Sequence, residues 1–104
     1  MEKTRSITAA QITAWKKAHG TIHQITVKQD GKEFNCIVRK PNLTDVQMSE
    51  EYGKEDSIKQ NMFLFNNCHI GGDVEFTTDD ELRFAASNEV ARLFRILKAS
   101  SKKL

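Results

Sequence analysis

A two-residue turn, Asp30-Gly31, separates two stretches in which apolar and polar residues alternate. Asp-Gly is typical of the type I′ turn, which joins two antiparallel strands directly. With this turn Val27 faces Phe34, and the apolar side chains of both strands lie on one side of the ribbon. We therefore predict a β-hairpin over about residues 21–39. Other elements must cover its apolar face, because a two-stranded ribbon is only marginally stable alone.

Helix starts are indicated by four pairs with the spacing of a capping box, in which two side chains bind free amides of the first turn. The pairs are Thr8 with Gln11, Thr44 with Gln47, Ser57 with Gln60, and Thr78 with Glu81. They predict helices over about residues 9–19, 45–52, 58–67 and 79–99. The predicted fold class is α+β, a β-hairpin packed by an N-terminal helix, central helices and a long C-terminal helix.

The apolar residues that recur at helical or strand spacing predict the hydrophobic core. The main predicted core residues are Trp15, Phe34, Met62, Phe65, Val90 and Leu93. Between the last two helices, Gly71-Gly72-Asp73 predicts a turn and Val74-Glu75-Phe76 a short extended segment. Residues 100–104 are expected to fray.

The length of 104 residues predicts one domain spanning 1–104, because a second core would leave each half marginal. The longest apolar run has four residues, Met62-Phe63-Leu64-Phe65, so neither a membrane span nor a signal sequence is expected. With only two cysteines, a disulfide scaffold is excluded and a reducing compartment is favoured. We expect a cytoplasmic protein.

The net charge of +2 conceals an uneven distribution along the chain. Residues 1–40 and 83–104 each carry a net +5, whereas residues 41–82 carry −8. Nucleic-acid binders usually present one dominant basic face. Basic ends around an acidic middle favour a protein partner instead, with nucleic acid a less favoured alternative.

No arrangement of residues typical of catalysis or metal binding is visible in the sequence. His19, His23, Cys36, Cys68 and His69 are zinc-ligand types, but the predicted turn at Gly20 separates the two spaced histidines. No serine or cysteine lies in a nucleophile motif. We expect no metal, no cofactor and no enzymatic activity. An enzyme remains an alternative only if the acids after Gly72, which are Asp73, Glu75, Asp79 and Asp80, converge on a pocket.

A basic stripe, Arg92, Arg95 and Lys98, recurs at three-residue spacing on the last predicted helix. Such a stripe is usually the solvated face of an amphipathic helix. Cations are also favoured near a helix C-terminus by its dipole. A site for single-stranded nucleic acid would need aromatic residues among these cations, on which bases could stack. Only Phe94 is present, on the apolar side of the helix.

Several motifs together resemble a known family. They are Arg39-Lys40-Pro41, the helix end Asn67-Cys68-His69-Ile70, the Gly71-Gly72-Asp73 turn, the helix start Asp79-Asp80-Glu81-Leu82, and Trp15-Lys16-Lys17 in the opening helix. This pattern, spread over nearly the whole chain, resembles the small tail assembly chaperones of long-tailed bacteriophages and prophages. The resemblance implies a non-enzymatic protein of the bacterial host cytoplasm that keeps a long helical tape measure protein soluble.

For such a partner, the amphipathic helices are expected to supply an apolar binding surface with a basic flank. The expected partner-binding residues are Phe63, Leu64, Phe94 and Leu97, with Arg92, Arg95 and Lys98 steering the approach. Self-association of the chain is left open. The alternative function is a small nucleic-acid-binding or regulatory module that uses the basic C-terminal helix.

Overall fold

The computed structural model describes residues 7–94 and 99–104. In chain order the elements are α1 (Ala9–His19), β1 (Ile22–Gln29), β2 (Lys32–Arg39), α2 (Leu43–Gly53), α3 (Ser57–Cys68), β3 (His69–Gly72), a 3₁₀ helix (Val74–Thr77) and α4 (Asp80–Phe94). The protein is therefore α+β, as predicted. The three strands form one antiparallel sheet in the order β1-β2-β3.

The hairpin has the register that its turn predicts. Asp30 and Gly31 have φ angles of 52° and 79°, both positive as a type I′ turn requires. Val27 lies opposite Phe34 in an antiparallel ladder that runs without a shift from Ile22 to Gln29 on β1. The hairpin prediction is confirmed, and its apolar face carries the core.

The third strand was not predicted. Gly71 and Gly72, expected in a turn, pair with Ile37 and Cys36 of β2 instead. A Cβ on Gly72 would lie 2.5 Å from the carbonyl oxygen of Asn35, so only glycine allows the two strands to approach this closely. The segment predicted to be extended, Val74-Glu75-Phe76, lies in the 3₁₀ helix.

Helix positions were predicted better than helix caps. Thr8 and Gln11 form the expected reciprocal capping box at α1. The other three helices begin at caps that were not predicted. The caps of α2 and α3 lie before the predicted Thr44 and Ser57, and the cap of α4 lies one residue after the predicted Thr78. Their caps are Asn42, Asp56 and Asp79, whose side-chain oxygens accept backbone amides of the first turn. These three residues hold the N-cap position because the helices begin directly after them, at Leu43, Ser57 and Asp80.

The core lies between the sheet and the helices α3 and α4. Its buried residues are Ile25, Cys36, Val38, Leu64, Phe65, Cys68, Phe76, Leu82, Ala86 and Val90. Of the six predicted core residues, Phe65 and Val90 are fully buried, and Phe34 and Leu93 pack against the core while partly exposed. Trp15 and Met62 are half-buried, which corrects their prediction as core residues.

The C-terminal helix α4 begins one residue after its predicted start. The helix begins at Asp80 and is the longest described, with 15 residues to Phe94. Ala99, the predicted end, is not helical, and residues 99–104 have no regular secondary structure. The part of the prediction that covers residues 95–98 lies outside the described residues.

Candidate partner-binding surface

The three helices α2, α3 and α4 form a layer in which α3 packs against both of the others. The inner side of this layer covers the sheet through Leu64 and Phe65 of α3 and Leu82 of α4. Its outer side faces away from the sheet. The apolar residues exposed there are the candidates for contact with a partner.

An aromatic patch, Met48, Tyr52 and Phe63, spans the outer side of α2 and α3. The rings of Tyr52 and Phe63 lie 5.2 Å apart with an interplanar angle of 32°. Met48 is one helical turn before Tyr52, on the same flank of α2. Tyr52 is 66% exposed and Met48 49% exposed, so this patch leaves a large apolar area in solvent. Sequence analysis identified Phe63 but missed Met48 and Tyr52.

A small cleft of about 40 Å³ lies where the helices α2, α3 and α4 meet. Its apolar wall consists of Val46, Leu64, Ala91 and Phe94, and its polar wall of Ser49, Glu50, Gln60 and Asn61. This volume holds a water molecule or a methyl group, not a helix. A partner could therefore place at most a small side chain in it.

The structure separates the two predicted partner-binding residues on α3. Leu64 is only 5% exposed and belongs to the core and the cleft wall, so its side chain is not on the outer surface. Phe63 points toward α2 and contacts Tyr52. Phe94 is half-buried at the cleft. Of the described residues predicted to bind a partner through apolar contacts, Phe63 in the aromatic patch and Phe94 at the cleft thus keep part of their surface in solvent. Other exposed apolar side chains lie outside the patch, among them those of Leu43, Ile58, Val74 and Phe84.

Of the predicted basic stripe, only Arg92 lies within the described residues; Arg95 and Lys98, like Leu97, lie outside them. The side chain of Arg92 is 75% exposed, and its Nη1 lies 2.7 Å from Glu89 Oε2. At 3.6 residues per turn, Arg92 is about 160° around α4 from Phe94. Arg92 thus lies far around the helix from the apolar wall of the cleft.

A partly buried ion pair between Arg39 and Asp45 holds α2 in position. The guanidinium of Arg39 donates two hydrogen bonds to Asp45, at 2.7 and 3.0 Å, and a third to the carbonyl of Asn67 at the end of α3. Asp45 also accepts the amide of Asn42 and so completes the helix cap. The hydrogen bonds from Arg39 are the main reason why the pKa of Asp45 lies below its ordinary value. One arginine thus joins β2, α2 and α3.

The residues considered as zinc ligands do not assemble into a site. No group of three or more His, Cys, Asp or Glu residues that could hold a metal ion occurs in the described parts of the chain. Both thiols are free and buried. Burial raises the pKa of Cys36 to about 12 and that of Cys68 to about 11, so neither thiol is a reactive thiolate at neutral pH.

His69, the first residue of β3, is a half-buried ionisable ring that lies against the core. It stacks on Phe65 with ring centroids 5.0 Å apart, and its Nε2 is buried with no hydrogen-bond partner among the described residues. Burial lowers the pKa of His69 more than a hydrogen bond with the Gly71 backbone raises it. The neutral imidazole is therefore favoured in the folded chain.

The acids that follow Gly72 make local structural contacts. Asp73 Oδ2 accepts the amide of Asn35, Asp79 Oδ1 accepts the amides that start α4, and Asp80 pairs with Arg83. Gln29 at the hairpin end donates to both Asp79 and Glu81. These contacts connect the sheet to the start of α4.

Neither a protein-family model nor a curated protein matches this chain. None of the described helices is long and apolar enough to span a membrane. A solved structure, that of the uncharacterised protein RBSTP2171 from Bacillus stearothermophilus, is similar to 88% of this chain and 99% of its own, with a TM-score of 0.56 and 16% sequence identity. At this identity the similarity shows that the two chains share a fold, and it assigns no function to either.

Proposed function

We propose that this protein is a tail assembly chaperone-like binder that keeps a long helical partner of the tape measure type soluble. The proposal rests on the aromatic patch, in which Tyr52 leaves two-thirds of its surface in solvent while its ring packs on Phe63. Exposed aromatic and methionine side chains on neighbouring helices are typical of surfaces that bind apolar helices. The motif resemblance described above adds the class of partner.

The chemistry of the patch suits a partner with no fixed sequence. Methionine adapts its shape to irregular apolar surfaces, and an aromatic ring offers a large contact area for few frozen torsions. Nearby residues of α2 include the acids Glu50 and Glu51, and no lysine or arginine lies on this helix. We therefore propose binding through apolar contacts, with charges of both signs near the patch, since Lys54 follows α2 and Lys59 lies one helical turn before Phe63.

The test is co-expression with the tape measure protein of the same gene cluster, if that cluster encodes one. We expect the soluble fraction of that protein to rise with the wild-type chain and to fall with Tyr52→Ala. Phe84→Ala is the matched control, because Phe84 is a 42% exposed aromatic residue of α4 outside the patch. No gain in solubility with the wild-type chain, or an equal loss with both variants, would contradict the proposal.

A binding measurement at two salt concentrations separates this function from the nucleic-acid alternative. Apolar contacts should persist when salt is raised, whereas phosphate contacts lose affinity steeply because counterions are released. Single-stranded nucleic acid bound with a steep salt dependence, together with no effect of Tyr52→Ala, would favour the nucleic-acid module.

A further inference from the structure

The outer edge of β1 has unpaired backbone groups. In a two-residue hairpin the pair that flanks the turn, Gln29 with Lys32, exchanges hydrogen bonds, and such pairs then alternate along the ladder. The intervening residues Ile22, Gln24, Thr26 and Lys28 consequently point their N–H and C=O groups away from β2. This is confirmed at Asn35, the partner of Thr26, which uses its own backbone groups on Asp73 at the β3 side.

No described backbone group outside the hairpin bonds to β1. The side chains of Gln24, Thr26 and Lys28 are exposed, although helices α1 and α4 both pack on this strand. The eight outward N–H and C=O groups of Ile22, Gln24, Thr26 and Lys28 therefore have no backbone partner among the described residues. A row of such groups is a template for another strand.

The edge of β1 carries one lysine, Lys28, but lacks two other features that keep edge strands apart, a bulge and a proline. Its register with β2 continues over eight pairs with no bulge, and the strand contains no proline. The opposite edge is different, because β3 has four residues and its pairing with β2 is shifted between Ile37 and Val38. Short or bulged edges resist pairing, and long regular ones favour it.

We propose that β1 pairs antiparallel with β1 of a second copy of this chain, which extends the three-stranded sheet to six strands. The proposal is independent of the proposed chaperone function. A second copy is the proposed partner for two reasons. In one antiparallel register the outward backbone groups of β1 all find partners on another β1, and opposite charges lie near the two ends of the strand.

In that register a two-fold axis passes beside Ile25. Ile22 pairs with Lys28 of the second copy, and Gln24 pairs with Thr26, so all eight outward groups of each strand are bonded. Ile25 then lies opposite Ile25 of the second copy, on the face that carries the core. Every apolar side chain of the pair remains on the face it already occupies.

The charges near the two ends of β1 support the antiparallel direction. Helix α1, which ends just before β1, carries Lys16 and Lys17 and no acidic residue. At the other end of the strand, the acids Asp30, Glu33, Asp79 and Glu81 outnumber Lys28 and Lys32. An antiparallel pair places the basic start of one strand beside the acidic end of the other, in both halves of the dimer.

The test compares Thr26→Pro with Thr26→Ala in sedimentation velocity over a range of protein concentrations. Both variants lose the hydroxyl that donates to Asn35, but only proline removes the outward N–H. We expect dimers for the wild type and Thr26→Ala, and monomers for a folded Thr26→Pro. A wild type that remains monomeric at all concentrations, or Thr26→Pro that dimerises like Thr26→Ala, would overturn the proposal.

Hydrogen exchange of the wild type tests the same edge without a substitution that could impair folding. We expect the amides of Gln24, Thr26 and Lys28 to exchange fast in dilute protein and to become protected as concentration rises. The amides of Ile25 and Val27, bonded within the hairpin, should be protected at both concentrations. A dimer in which the outward amides exchange as fast as in the monomer would show that a different surface associates, and would contradict the proposal.

Discussion

The indole ring of Trp15 lies directly over Gly71, so that a Cβ on this glycine would be 2.6 Å from Cζ2 of the ring. Gly71 pairs with Ile37 of β2, and paired residues lie on the same face of a sheet. Trp15 therefore covers the sheet on the side opposite the main core, where Ile37 is only 2% exposed. Helix α1 has no fully buried residue of its own, and this contact anchors it.

Gly71→Ala should force the indole away from β3, because the new methyl group would occupy the position of the ring. We expect a loss of about 1–3 kcal/mol in the free energy of unfolding, as for other overpacked sites, and a red-shifted Trp15 fluorescence. In a Trp15→Ala background the same substitution should be much less destabilising. An equal loss in both backgrounds would mean that the methyl group meets something other than Trp15.

Phe65→Ala should be among the most destabilising core substitutions. Phe65 is 1% exposed and contacts both Phe76 and His69, with ring centroids 6.3 and 5.0 Å away. We expect a loss of about 3–5 kcal/mol in chemical denaturation, because the truncation leaves a cavity that helices cannot fill. A loss below about 1 kcal/mol, less than such cavities normally cause, would place Phe65 at the surface.

Asp45→Ala should weaken the connection between β2 and α2. The substitution removes the acceptor of two Arg39 hydrogen bonds and of the Asn42 amide, and we expect a loss of about 1.5–3 kcal/mol in the free energy of unfolding. The pKa of Asp45 is lowered in the folded chain. Its contribution is therefore complete above the unfolded pKa of about 4 and is lost as the pH falls through the lowered value. The free energy of unfolding of the variant, measured at several acidic pH values, should therefore fall less steeply with pH than that of the wild type.

His69 should make stability depend on pH in a higher range. Its pKa is lowered in the folded chain, so the unfolded chain binds the proton first as the pH falls below 6.5. Stability should be unaffected above that pH and should decrease as the pH falls from 6.5 through the lowered pKa. His69→Phe, which retains a ring beside Phe65, should remove this slope in pH-dependent unfolding. An unchanged slope would assign the titration to another group.

Local sequence determined the hairpin and the first helix. The Asp30-Gly31 turn leaves one register available, and Thr8 and Gln11 lie close enough in sequence to form their hydrogen bonds within one helical turn. Cap positions were predicted less well, because Asn42 and Asp45 have the same three-residue spacing as Thr44 and Gln47, and spacing alone does not choose between the two pairs. The deciding contact there is the ion pair of Asp45 with Arg39, six residues away on β2.

The candidate surface was predicted only in part, because contacts between separate elements decide which apolar residues are exposed. The apolar spacing of α3 showed that both Phe63 and Leu64 are hydrophobic, but neighbouring helices decide which of them is covered. Packing against the sheet and α4 buries Leu64, and the position of α2 brings Tyr52 to Phe63. Neither contact has a signal within α3 itself.

The sequence by itself determined where the chain can turn, which segments alternate at strand or helix period, and that the hairpin needs a cover. Tertiary structure alone decided that Gly71 and Gly72 form a third strand, because their partners Ile37 and Cys36 are distant in the chain. A turn pair and a helix cap act over a few bonds of the backbone, so sequence spacing can reveal them, as it did at Asp30-Gly31 and at Thr8 with Gln11. Strand pairing and burial depend on residues brought together only when the whole chain folds, and no local pattern records them.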